Sequence, residues 1–233
     1  MSICPYCKSD SGKEIKRKVS CSKCGEQIYV RNGIAVTERE KEIIDWQKYM
    51  EFLVPDIVKI RKDVENELTK RFGQSPSAHD LVWGMFNFIV TKLREPKDLS
   101  ILYLNMATFL EKEGKDEQAK KCKRESTKME LLEWNKSEWA NSVIIENCND
   151  DFVCKECKSK HHKKMSIQEA IENIPVPVEE CSNKNCRCRL RYVSKYEEME
   201  DHNELDNHIT ITVNSKIKKK GLLDRILEKW LPS

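Results

Sequence analysis

Two clusters of paired cysteines, one at the start of the chain and one near its last quarter, constrain the fold more than any other feature. Cys4, Cys7, Cys21 and Cys24 read C-x2-C-x13-C-x2-C, and Cys154, Cys157, Cys181, Cys186 and Cys188 follow within one short basic stretch. Segments this short bury almost no apolar core, so thiols at this spacing are expected to close around a metal that supplies the missing folding free energy. The first four suit one tetrahedral Zn²⁺, with each C-x-x-C turn presenting both sulfurs to the ion. A second ion is expected in the later cluster, giving two per chain.

The later cluster offers five thiols to an ion that takes four. Cys154 and Cys157 form its first pair. If the C-R-C segment is extended, Cys186 and Cys188 point to opposite faces and do not readily share a metal. The second pair is therefore read as Cys181 and Cys186, with Cys188 as the alternative. Between the pairs, Ser166 and Glu169 make a capping box that opens a short helix. Pro175 and Pro177 then impose an extended return toward the metal. Cys122 and Cys148 fall outside both patterns and are expected to be core thiols.

Charge follows the cysteines. Residues 1–31 hold seven Lys/Arg against three Asp/Glu, and residues 154–195 hold ten against five, while the whole chain of 233 residues carries only +3. Both modules are thus basic around an acidic middle, a distribution suited to nucleic-acid backbone or an acidic protein surface. Charged residues make up 35% of the chain, with seven Gly and seven Pro, and this composition predicts a helix-rich, well-solvated protein of several small units. No apolar run approaches the ~20 residues that cross a bilayer, and the first residues are too short for a secretory leader, so a reducing cytosol is expected. Paired cysteines there mean metal rather than disulfide.

The expected architecture is α+β and mainly α. Residues 1–36 form the first module, with short strands at 15–19 and 28–36, the latter broken at Asn32-Gly33. Residues 37–141 form a helical domain that begins at a Thr37/Glu40 capping box, breaks at Pro55, closes a helix at Gly73 and restarts from residue 78 to 94. Residues 98–134 read as two helices around Gly114, resembling one tetratricopeptide-like hairpin; a binding groove of that kind needs about three copies. Trp83 and Phe86 are read as core, and His79 as solvent-facing. Residues 142–213 hold the second module, with strands at 142–146, 190–193 and 209–213. Residues 214–233 comprise a basic linker and an amphipathic helix, 222–231, whose apolar face suits a protein partner better than a membrane.

Residues 1–36 resemble zinc ribbons, a likeness that implies zinc without specifying a function. The string C-x-x-C, basic turn, S-I-Q-E-A, I-P-V-P, C and C-R-C, with the helices before it over about residues 80–193, resembles an uncharacterised prokaryotic family. It is more loosely similar to the C-x-x-C…P…C-R-C ending of phage head-morphogenesis proteins, where a Pro-His-Pro context is common; here Pro177 and Asn185 stand without that His. The second module's order of cysteine turn, helix, extended return and further cysteines is treble-clef-like or ribbon-like. These features define a non-enzymatic zinc-binding adaptor for nucleic acid or protein. One alternative is a structural subunit of a larger assembly, in a phage or mobile element. The other is a nuclease of the HNH or His-Cys type using His161 and His162, with Asn203 and His208 further on; the lysines crowding the first two favour phosphate contact or solvation over general-base chemistry.

Overall fold

The computed structural model describes residues 3–10, 15–148 and 150–197. The expected strand at 209–213, the helix at 222–231, Asn203 and His208 lie outside them. The chain divides into two compact units, Met1–Tyr192 and Val193–Ser233, and the account below concerns the first.

Three antiparallel strands open the fold: β1 (Val19–Ser20), β2 (Gln27–Arg31) and β3 (Ile34–Val36). Asn32 and Gly33 both take positive φ, 52° and 76°, the geometry of a tight two-residue turn, and Tyr29 pairs with Val36 across it. The expected strand at 15–19 shrinks to β1, because only Val19 and Ser20 find partners on β2. Among the described residues of this unit, Cys4, Ile15 and Ile28 form one small buried cluster, and Tyr29 and Val36 are the only other buried side chains. A unit with so few buried apolar side chains cannot offset its own ordering entropy by burial.

Five helices follow: α1 (Glu38–Met50), α2 (Ile57–Phe72), α3 (Ala78–Val90), α4 (Pro96–Lys112) and α5 (Asp116–Asn135). Thr37 caps α1 by accepting from the Glu40 N–H, but the Glu40 carboxylate turns to Arg61 at 2.7 Å, so only half of the expected capping box forms. Gly73, at φ 70°, ends α2 in the left-handed region as its sequence position implies. Helix α3 stops at Val90, four residues short of the expected end, after which the chain turns into Pro96 at the start of α4. Trp46, Met85, Phe86, Leu102 and Phe109 form the centre of the helical core, and Trp46 meets Phe86 and Phe109 edge to face. Phe86 is fully buried, whereas Trp83 is half-buried and stacks on Phe109 at 6.2 Å. His79 is not simply solvent-facing: its ring lies 5.1 Å from Phe109, and its Nε2 is 3.0 Å from Lys115 Nζ.

The last part is a second sheet, order β5-β4-β6, made by β4 (Ala140–Glu146), β5 (Lys164–Ser166) and β6 (Arg189–Ser194), with short helices α6 (Lys155–Ser159) and α7 (Ile167–Glu172). Ser166 caps α7 by accepting from the Glu169 N–H at 3.1 Å. The core beneath the sheet joins Val143, Ile145, Met165, Ile167 and Ala170 with Leu131 of α5. The terminal helix of the bundle therefore supplies part of the second module's core.

Candidate metal centres

In the first centre the two cysteine turns are near copies. The Cys4 carbonyl accepts from Lys8 N–H and the Cys4 N–H donates to Ser9; the Cys21 carbonyl accepts from Gly25 N–H and the Cys21 N–H donates to Glu26. Each turn ends on a left-handed residue, Lys8 at φ 60° and Gly25 at φ 76°. Glycine takes that conformation without strain and lysine does not. The four sulfurs lie within 4.8 Å of one another. Cys4 to Cys24 and Cys7 to Cys21, the two contacts that join one turn to the other, are both 3.8 Å. With metal–sulfur bonds of about 2.3 Å, a tetrahedron has sulfur–sulfur edges of about 3.8 Å, so four thiols stand where one ion would gather them.

In the second centre five thiols form two overlapping triads. Cys154, Cys157 and Cys181 lie within 4.8 Å of one another, as do Cys157, Cys186 and Cys188, and Cys157 belongs to both. Cys157 is carried by α6 and is buried, with Val153 and Val178 against it. Cys154 to Cys181 and Cys157 to Cys186 are each 3.7 Å, again the edge of a thiolate tetrahedron. The opposite-face argument for Cys186 and Cys188 does not hold. The C-R-C segment precedes β6, which begins at Arg189, and strand alternation does not apply there. Both thiols turn to the side of Cys157. Of the two cysteines assigned to the core, Cys122 is half-buried against the helical core, while Cys148 is exposed in the loop after β4.

Backbone N–H groups prepare some of these sulfurs for a cation. The N–H of Cys24, then that of Lys23, lowers the Cys21 thiol to about 6, and the N–H of Cys157 lowers Cys154 to about 6. Burial acts the other way on Cys157, which it pushes above the ordinary thiol range, and on Cys188, which it pushes up to about 11. Cys7, beside Ser9, and Cys186, beside the N–H groups of Cys188 and Val178, are lowered too, so each centre holds at least one thiol inclined to the thiolate form that ligates metal.

His161 and His162 join neither cysteine group. Their rings lie 3.8 Å apart, His161 Nδ1 accepts from the Asn147 N–H at 3.2 Å, and the His162 N–H donates to the Ile145 carbonyl. These contacts hold the turn against β4. Much of the module's positive charge is met at close range: Arg187 pairs with Asp150 at 2.8 Å, Arg189 and Arg191 both reach Glu146 at 3.0 Å, and Lys160 reaches Glu180 at 2.9 Å. Sequence reading finds the excess of basic residues over 154–195 but not these partners, because Glu146 and Asp150 precede that stretch and are brought to it only by the fold. Among the described residues, no helix is long and apolar enough to cross a membrane.

Compared with protein-family models, curated proteins and solved structures, the chain matches none. The two cysteine clusters therefore carry the functional argument, and what they define is a protein with two places that could each hold a metal ion.

Proposed function

We propose that the chain is a non-enzymatic zinc protein: a helical adaptor whose two ends are held by thiolate-bound Zn²⁺, the first by Cys4, Cys7, Cys21 and Cys24 and the second by Cys154, Cys157, Cys181 and one cysteine of the C-R-C segment. The observation that carries it is the pair of all-cysteine clusters with cross-turn sulfur distances of 3.7–3.8 Å. Sites closed by four thiolates leave no position for water or substrate, which is the mark of a structural rather than a catalytic zinc. Zinc is the natural ion for such soft, tetrahedral donor sets. Elemental analysis of protein purified without chelator is expected to give about two zinc per chain. A metal-free protein that keeps the same exchange protection at both centres overturns the reading.

An acidic protein surface is the partner this reading favours. Arg187, Arg189 and Arg191 already face carboxylates, the same group an acidic protein surface would offer them. Phosphate backbone remains the second reading on the strength of the net positive charge at both ends. It predicts a salt-dependent mobility shift with DNA or RNA that is lost on charge reversal at Lys163 and Lys164; no shift at low salt sinks it. Assembly through the helices has its own supporting observation in Tyr49, Phe52 and Leu104, large apolar residues at the C-terminal end of α1 and on α4 that are at least half exposed. It predicts a complex that survives high salt and is lost on truncation of residues 221–233.

A further inference from the structure

The second centre offers five thiols to an ion that takes four, and closeness alone does not choose among them, since Cys186 and Cys188 both lie within 4.8 Å of Cys157. Hydrogen bonding does choose. Cys186 Sγ is 3.7 Å from Cys157 Sγ and accepts from the Val178 N–H at 3.4 Å. It also accepts from the N–H two residues on, that of Cys188. The first centre, whose four thiols leave no surplus, has the same pattern: Cys7 accepts from the N–H of Ser9 and Cys24 from that of Glu26, each two residues on. Such N–H donors favour the charged form of a sulfur, the form that ligates metal. The hydrogen-bonding neighbours of Cys188 Sγ are instead the sulfurs of Cys157 and Cys186, and its side chain packs against the core beneath the second sheet.

The donor to Cys186 is itself held in place. The Pro177 carbonyl and the Val178 N–H belong to one peptide unit: the oxygen accepts from Arg124 Nη1 at 3.0 Å, and the N–H meets Cys186. Arg124 is carried by α5, and Val178 is fully buried beside Cys157. A cation on the oxygen of an amide polarises the unit and strengthens donation by its N–H. We infer that Cys186 is the fixed fourth ligand of the second centre, that Cys188 stays outside the ligand set, and that Arg124 is a positioning residue selecting Cys186 through the 177–178 peptide. The inference rests on the zinc reading of this cluster and names the ligand which that reading leaves open. It also brings the helical bundle into the metal centre, because the residue that aims the N–H belongs to α5 and not to the cysteine stretch. Outer contacts of this kind change metal affinity by about 10–100-fold.

The test uses the full-length zinc-loaded protein. Cys186→Ser should fall to about one zinc per chain, while Cys188→Ser should keep about two. Alkylation of the wild-type holoprotein with iodoacetamide, followed by tryptic mass mapping that separates the two thiols at Arg187, should modify Cys188 ahead of Cys186; this measurement stands even where Cys186→Ser fails to fold. Arg124→Ala should weaken zinc binding at the second centre about tenfold in competition with a chromogenic chelator, leave the first centre unchanged, and let alkylation divide between Cys186 and Cys188. Arg124→Lys, which restores a cationic donor to the Pro177 carbonyl, should recover part of the loss. Loss of the second zinc in Cys188→Ser, its retention in Cys186→Ser, or faster alkylation of Cys186 overturns the ligand assignment. An Arg124→Ala protein that melts earlier but keeps the wild-type zinc affinity and alkylation pattern overturns the positioning role. Failure of the zinc reading is distinct: wild type then lacks the second zinc before any substitution is made.

Discussion

The two cysteine centres use the same chemistry on different supports. The first sits in a small strand unit with five buried residues among those described and is joined to the helices through polar contacts: Arg31 with Asp45 across β2 and α1, the Tyr29 hydroxyl donating to Glu38, and the Glu38 N–H donating to the Tyr6 hydroxyl. The second is built against a sheet whose core includes Leu131 from the bundle's last helix. Metal should therefore be the main source of order in the first module and one source among several in the second. The number of thiols agrees with this division. A unit that needs its metal to fold carries the four ligands required, and a unit with an apolar core of its own carries a fifth thiol beside them.

The largest effect expected from this contrast is that of removing metal. A strong chelator, or Cys21→Ser, should unfold residues 3–36 and forfeit the apparent ~10–16 kcal/mol that zinc contributes to such units at neutral pH. The bundle should keep its helical circular dichroism, because its core of Trp46, Met85, Phe86, Leu102 and Phe109 contains none of the metal cluster. Hydrogen exchange should show lost protection in β2 and β3 with the bundle's protection retained. Survival of protection in β2 and β3 without metal, or collapse of the whole protein, breaks the comparison.

Next in size is Leu131→Ala. Leu131 is fully buried beneath the second sheet, and truncating such a side chain costs about 2–5 kcal/mol. Denaturant unfolding with zinc present should show that loss, and exchange should locate it in α5, β4 and α7. A cost below about 1 kcal/mol would mean that metal, and not this core, holds the second module as well.

Acid should affect the two centres alike. Cys21 and Cys154 are each lowered to about 6, so above that pH the metal-free protein already presents at least one thiolate per centre. As pH falls through about 6, each centre must release one additional proton on binding, and zinc affinity should fall by about a further tenfold per pH unit. Competition titrations with a chromogenic chelator at pH 7.5, 6 and 5 measure this slope. A slope that steepens in one centre only would assign the poised thiolate to that centre.

A smaller effect separates the two turns of the first centre. Gly25 occupies the left-handed position with nothing near its missing Cβ, so Gly25→Ala should cost about 1 kcal/mol through backbone strain alone. Lys8 holds the equivalent position at φ 60°. Lys8→Gly should relieve a comparable strain, offset in part by the greater freedom of glycine in the unfolded chain. Metal-loaded melting curves that move in the same direction for both changes would show that the turns are not equivalent.

Local rules account for what is legible in the sequence. Asn32-Gly33, Gly73 and Ser166 each act on neighbours within a few residues, and each stands at its expected turn or cap. The cysteine spacing was readable for the same reason. What could not be read depends on long-range contacts: Leu131 joining a core with residues from β4 onward, Glu146 taking both Arg189 and Arg191, and Glu40 leaving its cap for Arg61. That Cys186 and Cys188 both lie near Cys157 has a narrower cause: the chain is a strand only from Arg189 onward, and strand alternation does not reach back into the C-R-C segment.

The polar docking of the first module supplies the smallest prediction and the finest discrimination. Arg31 meets Asp45 with both ends of its guanidinium fork, Nη2 to Oδ2 being 2.7 Å, and this contact holds the Asp45 carboxyl below its ordinary value. Both side chains are about a quarter to a third exposed, so solvent screens much of the attraction and a coupling near 0.5–1 kcal/mol is expected. A double-mutant cycle with Arg31→Ala and Asp45→Ala, run with zinc bound at neutral pH, isolates that coupling from the general loss of side chains. If the first module is fastened only through such screened contacts, the coupling stays well below the loss at Leu131, and raising the salt concentration diminishes it. A coupling as large as the Leu131 effect and indifferent to salt would mean that the strand unit is fused to α1 as firmly as the second sheet is to α5. The contrast between a metal-dependent end and a core-supported end would then fail.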